Sequence, residues 1–159
     1  MASACFTGKY RGITGIITFI EEGYETRVKV KITGGLTDTS GMYPYHVHEF
    51  PINYTGSCES TGEHLDPIGV GKVKGYKCNP EIPEECEAGD LSGKYGALRG
   101  TPSGMVEDEY TDPFITLRGE YGVIGRSVVI HAPHTPPGVP AARIACADIV
   151  CGKCNEYYY

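Results

Sequence analysis

The chain has 159 residues, of which 40% are hydrophobic and 21% are charged, and these are ordinary proportions for a soluble globular protein. Its formal net charge of −6 argues against nucleic-acid binding, because no basic stripe is present to neutralise phosphates. No apolar stretch approaches the roughly 20 residues of a membrane span, so we predict no integral membrane segment.

Short runs of alternating polar and apolar residues predict an all-β protein. The chain has 22 glycines and 11 prolines, and no window shows a sustained helical period. Several short strands separated by turns are typical of a β-sandwich or flattened barrel. We predict a single domain over residues 1–159, without an internal repeat. The predicted strands, in chain order, are residues 14–22, 26–35, 45–50, 95–100, 113–120 and 125–132.

Two segments, residues 51–94 and residues 132–145, are too long and irregular to be hairpin turns. Loops of this length in a compact domain are usually functional. We therefore expect the functional residues to lie on or beside these two loops.

The predicted strand 45–50 carries two histidines on one face, because side chains two apart on a strand point the same way. His46 and His48 could be hydrogen-bonded core residues, or they could converge on a metal ion. Two more histidines, His64 in the first long loop and His131 at the end of the last predicted strand, could complete a four-nitrogen site. Tetragonal nitrogen coordination suits Cu(II) better than zinc, so the residues alone allow a copper or a zinc site.

Five sequence blocks follow one another along the chain: HVHEF at 46–50, a cysteine-to-histidine spacing from Cys58 to His64, GDLSGKYG at 89–96, GRSVVIHA at 125–132 and RIAC at 143–146. In order and in residue type they resemble the signature blocks of the copper/zinc superoxide dismutase family, and the resemblance covers about residues 10–150. The resemblance implies an immunoglobulin-like Greek-key β-sandwich or flattened barrel with two long functional loops. It also implies a set of site residues: copper ligands His46, His48, His64 and His131, a disulfide between Cys58 and Cys146, and Arg143 as the guide for an anion.

The chain departs from the family where a zinc ion would bind. Asp90 keeps the place of the family's zinc-binding aspartate, but Glu87 stands where a histidine is expected, and no histidine lies between His64 and Glu87. The loop 132–145 is rich in proline and lacks the family's charged segment. The resemblance is therefore to the copper-only branch, found as extracellular enzymes and as domains of repeat proteins, and zinc is not expected.

Glu87 and Asp90 have two interpretations. A metal-bound imidazole normally donates its other N–H to a carboxylate or a carbonyl. One of the two carboxylates could therefore hold His64 in place and take up the proton changes that accompany copper reduction. Alternatively, both are solvated acids of an acidic loop.

The resemblance implies an enzyme that converts superoxide to oxygen and hydrogen peroxide by alternating between Cu(II) and Cu(I). Arg143 would hold the anionic substrate. Three other functions stay open: a copper storage or transfer module of the same fold, a structural sandwich for protein–protein contacts, and an enzyme with an unusual second metal site built from His64, Glu87 and Asp90. His134 is expected to be an exposed loop residue, or else a spare copper-binding group.

Seven cysteines indicate an oxidising compartment, and Asn53-Tyr54-Thr55 is a glycosylation sequon. We expect a secreted, extracellular protein, either a monomer or one module of a tandem array. We predict a bridge between Cys78 and Cys86 and another from Cys5 to either Cys151 or Cys154, with one cysteine left over. The segment CGKC at 151–154 could instead be a redox or metal motif.

Overall fold

The computed structural model describes residues 1–154. Within that range the chain forms nine β-strands, one short α-helix and three 3₁₀ turns. The strands are β1 (Ala2–Thr7), β2 (Thr14–Glu22), β3 (Glu25–Gly34), β4 (Met42–Tyr43), β5 (Tyr45–His48), β6 (Leu98–Arg99), β7 (Val106–Asp112), β8 (Ser127–His131) and β9 (Arg143–Cys151). The helix α1 spans Leu91–Tyr95, and the 3₁₀ turns are Cys58–Thr61, Val70–Lys72 and Pro83–Glu85. None of the helices in this range is long and apolar enough to cross a membrane.

Seven of the strands form one curled antiparallel sheet in the order β5–β8–β9–β1–β2–β3–β7, and β4 pairs with β6 in a short ribbon. The connections from β3 to β5 and from β7 to β8 join opposite ends of this order, which is the Greek-key feature of the fold. The predicted all-β Greek-key architecture is therefore confirmed.

The hairpin of β2 and β3 shows why these residues form strands. Ile17 and Phe19 on β2, and Val28 and Val30 on β3, are buried, while residues between them face outward. This period-two pattern gives the sheet one apolar face, which curls around the core. Gly23, with φ of +65°, supplies the left-handed conformation that the tight turn between the two strands requires.

The predicted strand at 113–120 is wrong. The strand of this region is β7, and it ends at Asp112. The Asp112 carboxylate accepts the backbone N–H groups of Phe114 (2.6 Å) and Ile115 (2.8 Å), which turns the chain out of the sheet. Ile115 and Leu117 are nevertheless buried, and their alternation imitates a strand.

Other differences concern the bounds of a predicted strand and strands that were not predicted. In the predicted strand 95–100 only Leu98–Arg99 is extended, because α1 occupies the preceding residues with Asp90 as its N-cap. Strands β1 and β9 are not among the predicted runs, since β1 is built mainly from small residues whose alternation is weak.

Three disulfides cross-link the described part of the chain, two of them between residues far apart in sequence. The bridges are Cys58–Cys146, Cys78–Cys86 and Cys5–Cys154, with Cα–Cα separations of 5.7, 4.8 and 6.2 Å. Cys151 is exposed and free within the described residues. Of the two partners considered for Cys5, the structure has Cys154, so CGKC does not form a bridge of its own.

Candidate metal centre

Four histidine side chains meet on the outer face of β5 and β8, opposite the hydrophobic core. Tyr45 and Val47 of β5 point into the core, so the alternation of the strand turns His46 and His48 to the other face. His131 ends β8, the antiparallel neighbour of β5, and its backbone N–H donates to the carbonyl of Pro44 (2.8 Å). One ligand atom from each of His46, His48, His64 and His131 lies within 4.8 Å of the others.

Backbone hydrogen bonds to β5 bring the first long loop to this face. The Val47 carbonyl accepts the N–H of Leu65 (2.8 Å), and the Val47 N–H donates to the carbonyl of Gly89 (2.9 Å). His64 is thereby set opposite His48 in an isolated β-bridge. A side chain at position 89 would collide with the Val47 carbonyl, so glycine is needed for this close approach. The same pairing holds Asp90, which follows Gly89, and Glu87, two residues before Gly89, beside the histidines.

Each imidazole is oriented by a partner outside the cluster. His48 and His131 bind the carbonyls of Gly62 (2.9 Å) and Ala141 (3.2 Å) through Nδ1, and His64 Nδ1 binds Glu87 Oε1 (2.8 Å). His46 uses its other ring nitrogen for the outer contact: its Nε2 lies 3.4 Å from Ser92 Oγ and 3.6 Å from Asp90 Oδ1. The remaining nitrogen of each ring is left to face the centre of the cluster.

The donor set fits a metal ion. Within the described residues His46 Nδ1, His48 Nε2 and His131 Nε2 are buried without any hydrogen-bond partner. Unpaired buried nitrogens are costly, and a bound metal would satisfy all three. Burial is the main cause that lowers the pKa of His48 to about 3 and of His131 to about 4, and it lowers the pKa of His46 further still. The rings of His46, His48 and His131 are therefore neutral at pH 7, as metal ligands must be.

These lowered pKa values predict that the metal-free protein loses stability in mild acid. The pKa of each of these histidines is about 6.5 in the unfolded chain and lower in the folded protein. Between these two values the unfolded state binds more protons than the folded state, so the free energy of unfolding falls as the pH falls. We expect His48 and His131 together to cost roughly 2 kcal/mol between pH 7 and pH 5.5. Denaturant unfolding in the presence of a chelator measures this loss. A flat profile over that range would contradict the burial of neutral imidazoles.

Arg143 lies beside the cluster at the start of β9, paired with His131 in the sheet register. Its Nη1 donates to the carbonyl of Cys58 (3.2 Å) and to Thr61 Oγ1 (3.0 Å), and its Nε lies 3.5 Å from Glu59 Oε2. The Cys58–Cys146 disulfide joins the turn that receives this guanidinium to the strand that supplies it. The side chain is only 16% exposed, so its position is fixed.

Two further residues complete the description of the site. His134 is 60% exposed and binds Asp38 Oδ2 (3.2 Å) and Ser40 Oγ (3.0 Å), outside the four-histidine cluster. Tyr76, which no motif in the sequence singled out, contacts both Asp90 and Glu87. Tyr76 lies two residues before Cys78, and this is the sequence signal for its role. The predicted bridge between Cys78 and Cys86 places Tyr76 near Glu87.

The fold and the site define a Greek-key β-protein with a buried cluster of four histidines beside a fixed arginine. Residues 13–149 match the sequence model of the copper/zinc superoxide dismutase (SODC) family, and the chain belongs to this family.

Its relatives include cell-surface proteins of fungi. The chain is 34% identical to cell surface superoxide dismutase 6 (Cu-Zn) of Candida albicans over 140 residues, which are 86% of this chain and 40% of that protein. It is 36% identical to the cell surface Cu-only superoxide dismutase of Arthroderma benhamiae, over 82% of this chain and 32% of that protein. The chain therefore spans less than half of the length of these two relatives.

A solved structure shares the fold. Candida albicans superoxide dismutase 5 in its Cu(II) form superposes with a TM-score of 0.74 and 30% sequence identity, covering 97% of this chain and 94% of that one.

Proposed function

We propose that this chain is a copper-dependent superoxide dismutase domain that works without zinc. The observation that carries the proposal is the convergence of four imidazoles, three of them with buried nitrogens that have no other partner, beside a fixed guanidinium. Bound copper would supply a one-electron couple, Cu(II)/Cu(I), through which two superoxide anions and two protons become oxygen and hydrogen peroxide. Relatives named as Cu-only superoxide dismutases support this chemistry.

The protein residues have three tasks in this proposal. His46 through Nδ1, and His48, His64 and His131 through Nε2, hold the copper. Arg143 holds the superoxide anion with a fixed positive charge and several N–H donors. Because the net charge of the chain is −6, attraction of the anion has to come from this local charge and not from the protein as a whole.

Glu87 is the reason to propose a site without zinc. The second nitrogen of His64, which would have to face a second metal ion, donates to the Glu87 carboxylate at 2.8 Å. The Glu87 side chain is only 12% exposed, so it is a built part of the site and not a solvated acid of the loop. Glu87 is thus the acceptor that orients His64 and that can hold a proton from His64 when copper changes its charge.

Metal stoichiometry measured together with superoxide consumption tests the proposal. The protein is loaded with excess copper and zinc, dialysed, and assayed for both metals and for turnover. One copper per chain, negligible zinc and rapid superoxide consumption are expected. Bound zinc would contradict the proposed role of Glu87, and copper without turnover would favour a storage or transfer module.

Replacing Arg143 with glutamine is expected to lower kcat/KM for superoxide about tenfold without changing the copper content, because the local positive charge is lost. Pulse radiolysis at several salt concentrations measures this effect, and the salt dependence should weaken in the variant. Arg27→Gln is the matched control, since Arg27 binds the exposed Glu22 and Glu109 on another part of the sheet. An equal loss in both variants would contradict a local role for Arg143.

We also propose that the domain works outside the cell. We place the chain outside the cell, as a single domain, because three disulfides suit an oxidising compartment and the sequon residue Asn53 is exposed. Cell-surface names among the relatives agree with this location. The chain would act as a monomer or as one module of a tandem array, with superoxide as its small-molecule partner and without nucleic acid.

A further inference from the structure

The hydroxyl of Tyr76 lies between the two acidic residues of the site. It donates to Asp90 Oδ2 (3.1 Å) and accepts the backbone N–H of Glu87 (2.9 Å). Asp90 in turn lies 3.6 Å from His46 Nε2, and the Glu87 carboxylate binds His64 Nδ1 at 2.8 Å. One phenol therefore connects the outer partners of two different histidines of the cluster.

The Cys78–Cys86 disulfide accounts for this placement. Tyr76 precedes Cys78 by two residues and Glu87 follows Cys86 directly. The disulfide therefore brings the segment before Cys78 close to the segment after Cys86. Between the two cysteines the chain forms a short loop that contains the 3₁₀ turn Pro83–Glu85. The covalent bond thus limits the distance between Tyr76 and Glu87, although the two residues are eleven positions apart in sequence (87 minus 76).

Other groups restrict the two acids as well. Gly71 packs against the free oxygen of the Glu87 carboxylate, where any larger residue would collide with it. The second oxygen of Asp90 accepts the N–H of Gly93 at 2.9 Å as the cap of α1. Tyr76 contacts both acids at the same time, and it does so with a single rigid side chain.

We propose that Tyr76 is a positioning residue, which holds Glu87 and Asp90 so that His64 and His46 keep their orientation toward the metal. Tyr76, Glu87 and Asp90 are called the carboxylate clamp below. The inference rests on the proposed function, because the clamp orders a loop that has no zinc ion to order it. The bridge and the phenol together provide the constraint that a second metal would otherwise impose.

Tyr76→Phe tests the clamp, since it keeps the ring and removes only the hydroxyl. In copper-loaded protein we expect a changed Cu(II) electron paramagnetic resonance spectrum and copper affinity about tenfold weaker, the low end of the range for groups that orient ligands. Tyr43→Phe is the matched control, because its hydroxyl likewise accepts a backbone N–H, that of Asp38 at 3.0 Å, away from both acids. The control should keep the wild-type spectrum and affinity.

A second measurement uses metal-free protein, so that it does not depend on copper binding. The Nδ1–H proton of His64 should give a slowly exchanging NMR signal in the wild type and exchange faster in Tyr76→Phe. If the wild type binds no copper, the proposed function fails while this signal still decides the clamp. Unchanged exchange in Tyr76→Phe, or an equal change in Tyr43→Phe, would overturn the inference.

A double-mutant cycle with Asp90→Asn separates positioning from general stability. If Tyr76 acts through Asp90, the effects of Tyr76→Phe and Asp90→Asn on copper affinity should be clearly non-additive. Full additivity of the two effects would overturn the coupling that the clamp requires.

Discussion

Replacing His46 with leucine is expected to abolish copper binding and to leave the metal-free protein at least as stable as the wild type. The Nδ1 atom of His46 is buried without a partner, and burial lowers its pKa, so this imidazole costs the metal-free fold free energy. Leucine is close to histidine in volume and removes the unpaired nitrogen. Superoxide consumption should fall by more than about 100-fold, because loss of a ligand exceeds loss of an outer partner. Metal analysis and denaturant unfolding with a chelator measure the two effects.

The opposite signs of the two effects make this prediction specific to a ligand. We expect the metal-free variant to gain about 1 kcal/mol of unfolding free energy, as the buried unpaired group is removed. His134→Leu is the matched control, and it should keep copper and turnover because His134 lies outside the cluster. Full copper occupancy in His46→Leu, or a metal-free variant several kcal/mol less stable than the wild type, would show that His46 is a structural core residue.

Breaking the buried ion pair of Lys94 and Asp112 is expected to destabilise the fold by about 3–5 kcal/mol. Both side chains are fully buried, and Lys94 Nζ binds Asp112 Oδ2 and the carbonyl of Ala88 (2.9 Å). Burial lowers the pKa of Lys94, and the charge of Asp112 opposes this shift. Asp112→Asn keeps an acceptor for the two backbone N–H groups after β7 but leaves the ammonium without its counter-charge. Denaturant unfolding measures the loss.

The double variant Lys94→Met/Asp112→Asn is the decisive comparison. Methionine fills the space of the lysine stem and needs no counter-charge, so the double variant should recover at least half of the lost stability. Glu109→Gln serves as the control for a surface pair, and its effect should stay below about 1 kcal/mol. If Asp112→Asn changes stability no more than Glu109→Gln does, the buried pair is not a determinant of the fold.

The buried pair also bears on the site, because Ala88 lies between Glu87 and Asp90 in the sequence. Lys94 holds the Ala88 carbonyl and thereby connects the core end of β7 to the segment that carries both acids. Copper affinity should therefore weaken in Asp112→Asn as well. Isothermal titration with copper would detect this change in protein that is still folded.

Local patterns in the sequence were sufficient to predict a strand where the strand has one face in the core and one in solvent. The alternation in β2 and β3 is of this kind, and so is the spacing of His46 and His48 that puts both rings on one face. The order of the five sequence blocks was sufficient to predict the family, and the residue at position 87 was sufficient to show the departure from it. Strand alternation depends on neighbours within a few positions, and the blocks are compared directly along the chain, so neither requires coordinates.

Other features depend on contacts between residues far apart in the chain, and only the tertiary structure decides them. Residues 113–120 alternate like a strand, but packing on the core and the Asp112 carboxylate make them irregular. The partner of Cys5 and the pairing of Lys94 with Asp112 likewise leave no local pattern. The sequence also does not determine which nitrogen of each histidine faces the centre of the cluster. That choice is made by hydrogen bonds to Gly62, Ala141, Glu87 and Ser92, which reach the site through backbone pairing across the sheet and the long loops.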